Sequence, residues 1–501
     1  MPHGNSSVGA KGYQMSLCEK WMMMTCGSPL RSIFLTLLAL ITTGCQANAP
    51  FRDQTSACLA PANDDNESCG TYSIEEHWLQ NYPGRSFLLG FVEIDDEGKP
   101  YIRDQIPSLF NRVEQEAQYQ DLSIIIFVHG WKHNDAPTDS NVRGFLRFLR
   151  QVAEMELQRA PTYWPARKVV GIYIGWRGLS INTGEIGEDL TFWTRMAAAH
   201  RVAEGAVREV LARAKALRDA IDAASWPGHL DHRNTRLVTI GHSFGGLIVY
   251  TALSQYFIDR AVQTEMAQLA RSLMPGPAQA GQEVGKKIAG YGDLVVVVNP
   301  AIEAMRYEPI RELMQNRRSP GGFAPKQNPV FVEVTSDADW ATGIAFPAGR
   351  LINTTFESFT SDDERREAMS SLGHYPPFWT HRLEGPMAQA DRNPEPPPID
   401  VDQECVDFAQ FNAQERVDGY LKPGWKRRYR TGAILTHNSN FDPNDPFWIV
   451  TTDKSMIESH NDIEEPVFVD FIRQLYDDLV RLDEDVPCRT SPHPHARPGE
   501  Q

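Results

Sequence analysis

Residues 236–246 read RLVTIGHSFGG, a stretch in which an apolar, β-branched run passes directly into a glycine-flanked serine. The first five residues have the composition of a buried strand, and the apolar residues that follow the glycines predict a helix. Gly241 and Gly245 leave room for a tight turn between the two elements, where larger side chains would collide with both. Such a turn would present the Ser243 hydroxyl at a helix N-terminus, whose dipole favours developing negative charge. Ser243 is therefore the candidate nucleophile.

The same alternation of strand and helix extends to both sides of this stretch. Apolar runs typical of strands covered on both faces occur at 123–128, 169–175, 294–298, 330–334 and 447–452. Segments with helical spacing of apolar residues lie among them, at 142–157, 190–224, 244–258 and 466–482. This alternation predicts an α/β fold with a mostly parallel central β-sheet flanked by helices.

Composition excludes two broad classes of protein. The 501 residues are 41% hydrophobic, which is incompatible with wholesale disorder. The chain has 49 Lys and Arg against 65 Asp and Glu, so its formal net charge is 49 − 65 = −16. Since general nucleic-acid binding requires clustered basic side chains, and no basic stripe stands out, we expect no nucleic-acid partner.

The N-terminus predicts export. Residues 33–41 (IFLTLLALI) form an apolar run too short to span a bilayer, preceded by basic residues and followed by Thr-Thr-Gly-Cys45. This ending is similar to a bacterial lipoprotein signal, in which Cys45 would be lipidated and would anchor the chain to a membrane. The alternatives are ordinary secretion after cleavage behind Ala49 and a retained, buried segment. We expect the protein in the bacterial cell envelope or secreted, with Met22, Met23 or Met24 a more natural start than Met1.

Cysteine usage agrees with an oxidising compartment. Beyond the signal segment and Cys45, the chain has Cys58, Cys69, Cys405 and Cys488. An even number of four predicts two disulfides, with three possible pairings that the sequence leaves open; four free thiols are the alternative.

The chain divides into five predicted segments. Residues 1–45 are the signal peptide, 46–115 form an N-terminal extension with a β-hairpin of 86–93 and 99–103, and 116–340 with 433–488 form the core. Residues 341–432 interrupt the alternation of strands and helices, because they are rich in charged residues and proline, and they predict a cap-like insertion. Residues 489–501 predict a disordered tail.

A nucleophilic serine needs a base, and the base needs an orienting acid. Asp337 and Asp339 follow the strand at 330–334, and Asp339 is the first choice with Asp337 in reserve. His460 follows the strand at 447–452, where a loop can carry it back over the sheet edge, so it is the predicted base. The competing histidines, which lie in or beside the insertion, are His374, His381 and His437.

Two backbone amides are candidates for an oxyanion hole. One belongs to Phe244, directly after the nucleophile, and the other to Trp131, which follows Gly130 at the end of the strand at 123–128. The spacing of His129 and His133 resembles a metal pair, but it lacks the Glu of H-E-x-x-H and begins at a strand end, so we predict no metal site.

Together these features resemble the α/β-hydrolase superfamily over about residues 120–482. The features are a strand followed by His129-Gly130, a strand followed by Gly241-His-Ser-Phe-Gly-Gly246, and the order Ser243, Asp339, His460. The segment Gly175-Trp-Arg-Gly178 is similar to uncharacterised secreted bacterial members. The resemblance implies the α/β-hydrolase fold and a hydrolase that cleaves a small-molecule acyl ester through an acyl-serine intermediate, with no metal or organic cofactor.

Two other functions stay open at this point. The same triad could catalyse acyl transfer or amide cleavage. Alternatively, the chain could be a catalytically silent envelope lipoprotein that binds ligands on a hydrolase scaffold.

Overall fold

The structure is a computed structural model that describes residues 49–61, 68–159, 166–178, 192–224, 233–273, 287–315, 322–386, 398–484 and 488. The predicted signal peptide with Cys45, and the predicted tail at 489–501, lie outside the described residues. The chain divides into two compact units, and the fold below is that of the unit formed by Asn48–Gly178 and Trp193–Gln501.

A twelve-stranded sheet forms the centre of this unit, in the order β1-β2-β3-β5-β4-β6-β7-β8-β14-β9-β13-β12. Eight neighbouring pairs run parallel and three run antiparallel. A separate small ladder joins β10 and β11. The strands are β1 Gln54–Ala60, β2 Tyr72–Trp78, β3 Ser86–Ile94, β4 Leu122–Val128, β5 Lys168–Trp176, β6 Arg236–His242, β7 Leu294–Val298, β8 Phe331–Ser336, β9 His381–Glu384, β10 Arg416–Val417, β11 Tyr420–Leu421, β12 Lys426–Arg428, β13 Ile434–His437 and β14 Phe447–Thr452.

Helices cover both faces of the sheet. They are α1 Gln105–Ala117, α2 Ser140–Arg159, α3 Phe192–Glu204, α4 Ala206–Asp222, α5 Phe244–Leu273, α6 Ala304–Gln315, α7 Phe346–Asn353, α8 Asp362–Met369, α9 Val401–Glu415 and α10 Pro466–Glu484. On one face α2 and α10 pack on a continuous apolar core that includes Phe127, Ile240 and Val298. On the other face Phe257 of α5 packs edge to face against Phe331 of β8. The predicted α/β class, with a mostly parallel central sheet flanked by helices, is confirmed.

Among the described residues, no helix combines the length and apolarity needed to cross a membrane.

The N-terminal extension differs from the predicted hairpin. In place of a strand at 99–103, only Pro100 bridges back to Ile94, and β3 pairs antiparallel with β2 and parallel with β5. Proline lacks the N–H that a ladder needs, which explains the short second arm. β2 was not predicted because its sequence, YSIEEHW, carries Glu75, Glu76 and His77. Glu75 and His77 are buried, and they are tolerated because Glu75 pairs with the buried Arg52 and, at 2.8 Å, with His77.

The predicted helix at 190–224 is broken into α3 and α4 at Gly205. The amide of Ala206 leaves the helical pattern and donates to the Gly98 carbonyl at 2.8 Å. A Cβ on Gly205 would lie 2.2 Å from the same oxygen, so only glycine fits at this point. The turn after β3 therefore interrupts a stretch whose apolar spacing continues on both sides.

The segment 341–432, predicted as a cap-like insertion, contributes two strands to the main sheet. β9 pairs parallel with β14, and β12 pairs antiparallel with β13. Both strands are short, and β9 alternates buried and exposed residues, so neither gives the apolar run by which the central strands were predicted.

The structure also selects one of the three cysteine pairings. Cys58 is bonded to Cys69 within the extension, and Cys405 of α9 is bonded to Cys488 beyond α10.

Candidate active site

Ser243 occupies the tight turn between β6 and α5, at the carboxyl end of the sheet. Its φ is +56°, in the left-handed region that side-chain-bearing residues seldom occupy. The turn is held by the Ser243 amide, which donates to the Val298 carbonyl of β7 at 2.9 Å. The turn also requires glycine, because a Cβ on Gly245 would lie 2.0 Å from the Val128 carbonyl. A strained backbone that the packing enforces is typical of functional sites.

The structure brings the three predicted triad residues into one line. His460 Nε2 lies 2.8 Å from Ser243 Oγ, and His460 Nδ1 lies 2.8 Å from Asp339 Oδ2. Asp339 follows β8 and His460 follows β14, and these strands lie side by side in the sheet. The strand order thus brings His460 into contact with Ser243, 217 positions away in the chain, and with Asp339, 121 positions away.

The carboxylate of Asp339 is fully buried and surrounded by donors. Besides His460, it accepts from the amides of Ala341 at 2.9 Å and Thr342 at 3.3 Å, and from the Thr342 hydroxyl. Burial opposes its ionisation, but the bond and charge of His460 and the Thr342 donors outweigh that effect and lower the pKa of Asp339 below its usual value. Asp339 thus stays charged beside the imidazole. Asp337, the reserve acid, is exposed, and the carboxylate bonded to His460 Nδ1 is that of Asp339.

Two residues that were not predicted from the sequence, His242 and Asn299, contact the main-chain carbonyl of His460. The carbonyl of His460 lies 2.9 Å from His242 Nε2 and accepts from Asn299 Nδ2 at 3.1 Å. Asn299 also accepts from the Ser336 amide at 3.0 Å, and its φ is +44°. Since a carbonyl only accepts, His242 must carry its proton on Nε2. Burial, followed by the neighbouring His460 and His133, keeps the pKa of His242 well below its usual value, so the ring stays neutral.

A sequence signal existed for both residues. His242 is the variable position of the glycine-serine motif, and Asn299 directly follows β7 in the way that Ser243 follows β6. The carboxyl end of a parallel strand is where polar side chains meet in this class of fold.

The loop after β4 lies against the serine. A Cβ on Gly130 would lie 2.8 Å from the Ser243 Cβ, so the backbone passes within contact distance of Ser243. His129 anchors this loop to β5, because its Nε2 accepts from the Trp176 amide at 3.0 Å and its Nδ1 donates to the Gly130 carbonyl at 2.9 Å. The ring of Trp131 lies beside that of Phe244, with 6.5 Å between centroids. The two predicted oxyanion donors thus belong to adjoining segments.

The competing histidines occupy other positions. His381 and His437 are buried beside Trp425 in an aromatic cluster at the β9 and β13 edge of the sheet. His374 is half-buried behind Gly343, and burial lowers its pKa. The imidazole that bonds both to Ser243 Oγ and to the Asp339 carboxylate is that of His460.

The described residues contain no group of three His, Cys, Asp or Glu side chains arranged to hold a metal ion. Of the spaced pair noted in the sequence, His129 uses both nitrogens within the protein, and His133 Nδ1 lies 3.1 Å from Asp139.

No family model, curated protein or solved structure matches the chain. Inference about chemistry therefore depends on the site itself. A serine hydroxyl, an imidazole and a buried carboxylate joined by hydrogen bonds can generate a nucleophile at neutral pH.

Proposed function

We propose that the protein is a serine hydrolase of the α/β-hydrolase fold that cleaves carboxylic esters through an acyl-serine intermediate. The observation that supports this most strongly is the unbroken line Ser243 Oγ, His460, Asp339, with 2.8 Å at each step. Its components come from the ends of three different strands, and the serine has the positive φ of a strained turn.

In the proposed acylation, His460 Nδ1–H donates to Asp339 and Nε2 accepts the hydroxyl proton of Ser243. Oγ attacks the ester carbonyl carbon as its proton moves to Nε2, which gives a tetrahedral oxyanion. The amides of Phe244 and Trp131 are the proposed donors to that oxyanion. As the carbonyl re-forms, the alcohol leaves with the proton from Nε2, and the acyl group remains on Ser243.

Deacylation repeats the sequence with water as the nucleophile. His460 takes a proton from water, the hydroxide attacks the acyl-serine, and the proton returns to Ser243 Oγ as the carboxylic acid leaves. Asp339 stays ionised throughout and stabilises the imidazolium in both halves. The protein's own groups suffice for each of these steps.

For the compartment, we propose the bacterial envelope, with a lipid anchor on Cys45. The two disulfides support an oxidising environment, because thiols in reducing compartments rarely stay paired.

The test is active-site labelling of the chain from Gln46 onward with a fluorophosphonate probe. We expect the wild type to be labelled and Ser243→Ala to be unlabelled. Ser254→Ala serves as the matched control, because Ser254 lies on α5, the same helix that Ser243 precedes, and its hydroxyl donates to the Thr251 carbonyl one turn earlier. Labelling that persists in Ser243→Ala would contradict the proposal. A folded wild type that resists labelling and leaves 4-nitrophenyl esters intact would favour the silent binding lipoprotein.

Hydrolysis is separated from acyl transfer and amide cleavage by the products. We expect water to be the acceptor, so that free acid forms at the same rate with and without an added alcohol. Partition of the acyl group to the alcohol would assign a transferase, and faster turnover of an anilide than of its ester would assign an amidase.

A further inference from the structure

Large apolar side chains are exposed in the segment that directly follows the candidate acid, Asp339. Four of them form what we call the apolar face: Trp340 is 60% exposed, Ile344 60%, Leu351 55%, and Phe356 is fully exposed. The segment runs from the carboxyl end of β8 through a π-helical turn at Ala341–Ala345 into α7. Exposed apolar residues concentrated in this way mark an interaction surface.

Three residues of the apolar face lie on one side of this helical segment. Ile344 follows Trp340 by one turn, and Leu351 follows Ile344 by two turns. The residues between them that point inward are Phe346, which is fully buried, and Arg350, whose side chain is only 13% exposed. The segment therefore packs on the protein with one side and presents an apolar side outward.

The same segment has almost no charge. Residues 340–356 read WATGIAFPAGRLINTTF, in which Arg350 is the only ionisable residue. Its guanidinium lies 3.3 Å from the carboxylate of Glu303, and its Nε donates to the Ala368 carbonyl at 3.0 Å, so the cation is neutralised on the inner side. The chain as a whole has a net charge of −16. A partner of the apolar face must therefore bind by apolar contact and not by charge.

The N-terminal part of the chain meets the sheet at the same edge. The amides of Phe51 and Arg52 donate to the carboxylate of Glu93, near the carboxyl end of β3, at 2.6 and 2.9 Å. Arg52 Nε also donates to the carbonyl of Asp135, in the loop after β4. Cys45, the proposed site of the lipid, precedes Phe51 by six residues, which span at most about 20 Å.

A membrane that holds this lipid therefore lies close to the carboxyl edge of the sheet. Along this edge β3 and β8 are five strand spacings apart, or about 24 Å. The lipid attachment and the apolar face are thus within reach of one flat surface.

We propose that residues 340–356 form a membrane-docking surface, whose apolar face enters the headgroup region of the bilayer that holds the Cys45 lipid. Interfacial helices with Trp, Phe and Leu on one side bind bilayers through the apolar area that they bury. Docking would turn the carboxyl edge of the sheet, with Ser243, toward the lipid. The choice of a bilayer as partner rests on the proposed envelope location, whereas binding itself does not depend on the proposed hydrolase activity.

The experiment is co-sedimentation of the chain from Gln46 onward, which lacks the lipid, with phosphatidylcholine vesicles at about 5 mM lipid. We expect the wild type to sediment with the vesicles, equally at about 0.05 M and about 0.5 M NaCl, because the contact is uncharged. Leu351→Ser combined with Phe356→Ser should lower the partition constant at least about ten-fold, because two apolar side chains no longer leave water.

The matched control is Leu59→Ser combined with Tyr119→Ser. These side chains are 65% and 74% exposed, and they lie at the end of β1 and just before β4, at the opposite edge of the sheet. The control should bind vesicles as the wild type does. Should the first double variant fail to fold, Phe356→Ser alone, on a fully exposed side chain, should still lower partition by about three-fold or more.

Four results would overturn the proposal. They are a wild type that stays in solution, equal losses in both double variants, binding that disappears at about 0.5 M NaCl, and a wild-type dimer that Leu351→Ser with Phe356→Ser dissociates while vesicles are not bound. The last result would assign the apolar face to a second copy of the chain. Fluorophosphonate labelling separates this test from the proposed function: a labelled wild type that ignores vesicles refutes only the docking surface, and an unlabelled one that binds them refutes only the hydrolase.

Discussion

Replacing Asp339 with asparagine should disable the base while leaving its position intact. Oδ1 of Asp339 accepts from the amides of Ala341 and Thr342, and Oδ2 accepts from His460 Nδ1 and the Thr342 hydroxyl. An asparagine must keep its oxygen at the first position, because two N–H groups point there. Its NH₂ then faces His460 Nδ1 and donates to it. The imidazole proton is forced to Nε2, so the atom that faces Ser243 Oγ carries a hydrogen instead of a lone pair.

The expected loss follows from that tautomer. The equivalent substitution in serine proteases keeps the geometry and lowers kcat by about 10⁴, which corresponds to about 5.5 kcal/mol of transition-state stabilisation. The fold should be little affected, because both amide bonds that start the turn after β8 remain. We therefore expect kcat to fall by about 10⁴ with the melting temperature within a few degrees of the wild type.

The assay is steady-state hydrolysis of 4-nitrophenyl butyrate, with thermal unfolding followed by circular dichroism. Asp337→Asn is the matched control: it is the same change two residues away, on an exposed side chain, and kcat should stay within about two-fold. The argument fails if Asp339→Asn keeps more than about a tenth of wild-type kcat, or if Asp337→Asn is the variant that loses activity.

Three further outcomes follow from the structure. Asn299→Ala removes both the bond to the His460 carbonyl and the acceptor of the Ser336 amide, so kcat should fall by roughly 10²-fold while KM changes little. An unchanged kcat in a folded variant would show that Asn299 does not position His460. Converting Cys405 and Cys488 to alanine should lower the free energy of unfolding by about 4.5 kcal/mol, against about 2.8 kcal/mol for Cys58 and Cys69, because the closed loops span 83 and 11 residues; urea unfolding of the two double variants checks the order. Burial raises the pKa of Glu333 to about 8, so the folded state keeps a proton that the unfolded state releases near pH 4.5. As the pH rises from 4.5 to 8, the free energy of unfolding should therefore fall by up to about 1.4 kcal/mol per pH unit. This slope should disappear in Glu333→Gln, and an unaltered slope would assign it to other groups.

The parts of the fold that the sequence predicts correctly are those in which one signal dominates. The central strands are continuous apolar runs because helices cover both faces of the sheet, and β4 and β7 are buried at every position. The strand order could not be predicted, because register and neighbours depend on contacts between distant segments. The motif around Ser243 could be found locally, and the sequence already favoured Asp339 over Asp337, but the burial of Asp339 against His460 is visible only in the folded chain.

The errors have a common cause: tertiary contacts that change the meaning of a polar or small residue. Glu75 and His77 read as surface residues, but they lie in a sheet strand because Arg52 is buried beside them. Gly205 lies within a stretch of helical apolar spacing, but the helix is broken there because the backbone of Gly98 packs against it. His242 occupies the variable position of the motif, but its ring contacts the His460 carbonyl. In each case the partner residue is more than a hundred positions away or lies in a segment without regular apolar spacing. The periodicity of the local sequence therefore does not predict the contact.

The N-terminal extension therefore belongs to the core. Arg52 is fully buried, its guanidinium lies 3.7 Å from the centre of the Phe91 ring, and its Nε donates to the Asp135 carbonyl at 3.1 Å. Asp135 is in the same loop as Gly130 and Trp131, the proposed neighbours of the oxyanion. The Cys69 carbonyl also accepts from Arg52, so the first disulfide and the loop beside Ser243 share one buried cation. A chain begun at residue 116 would lose three strands of the sheet and this cation together, and the sequence boundary between extension and core does not correspond to a boundary in folding.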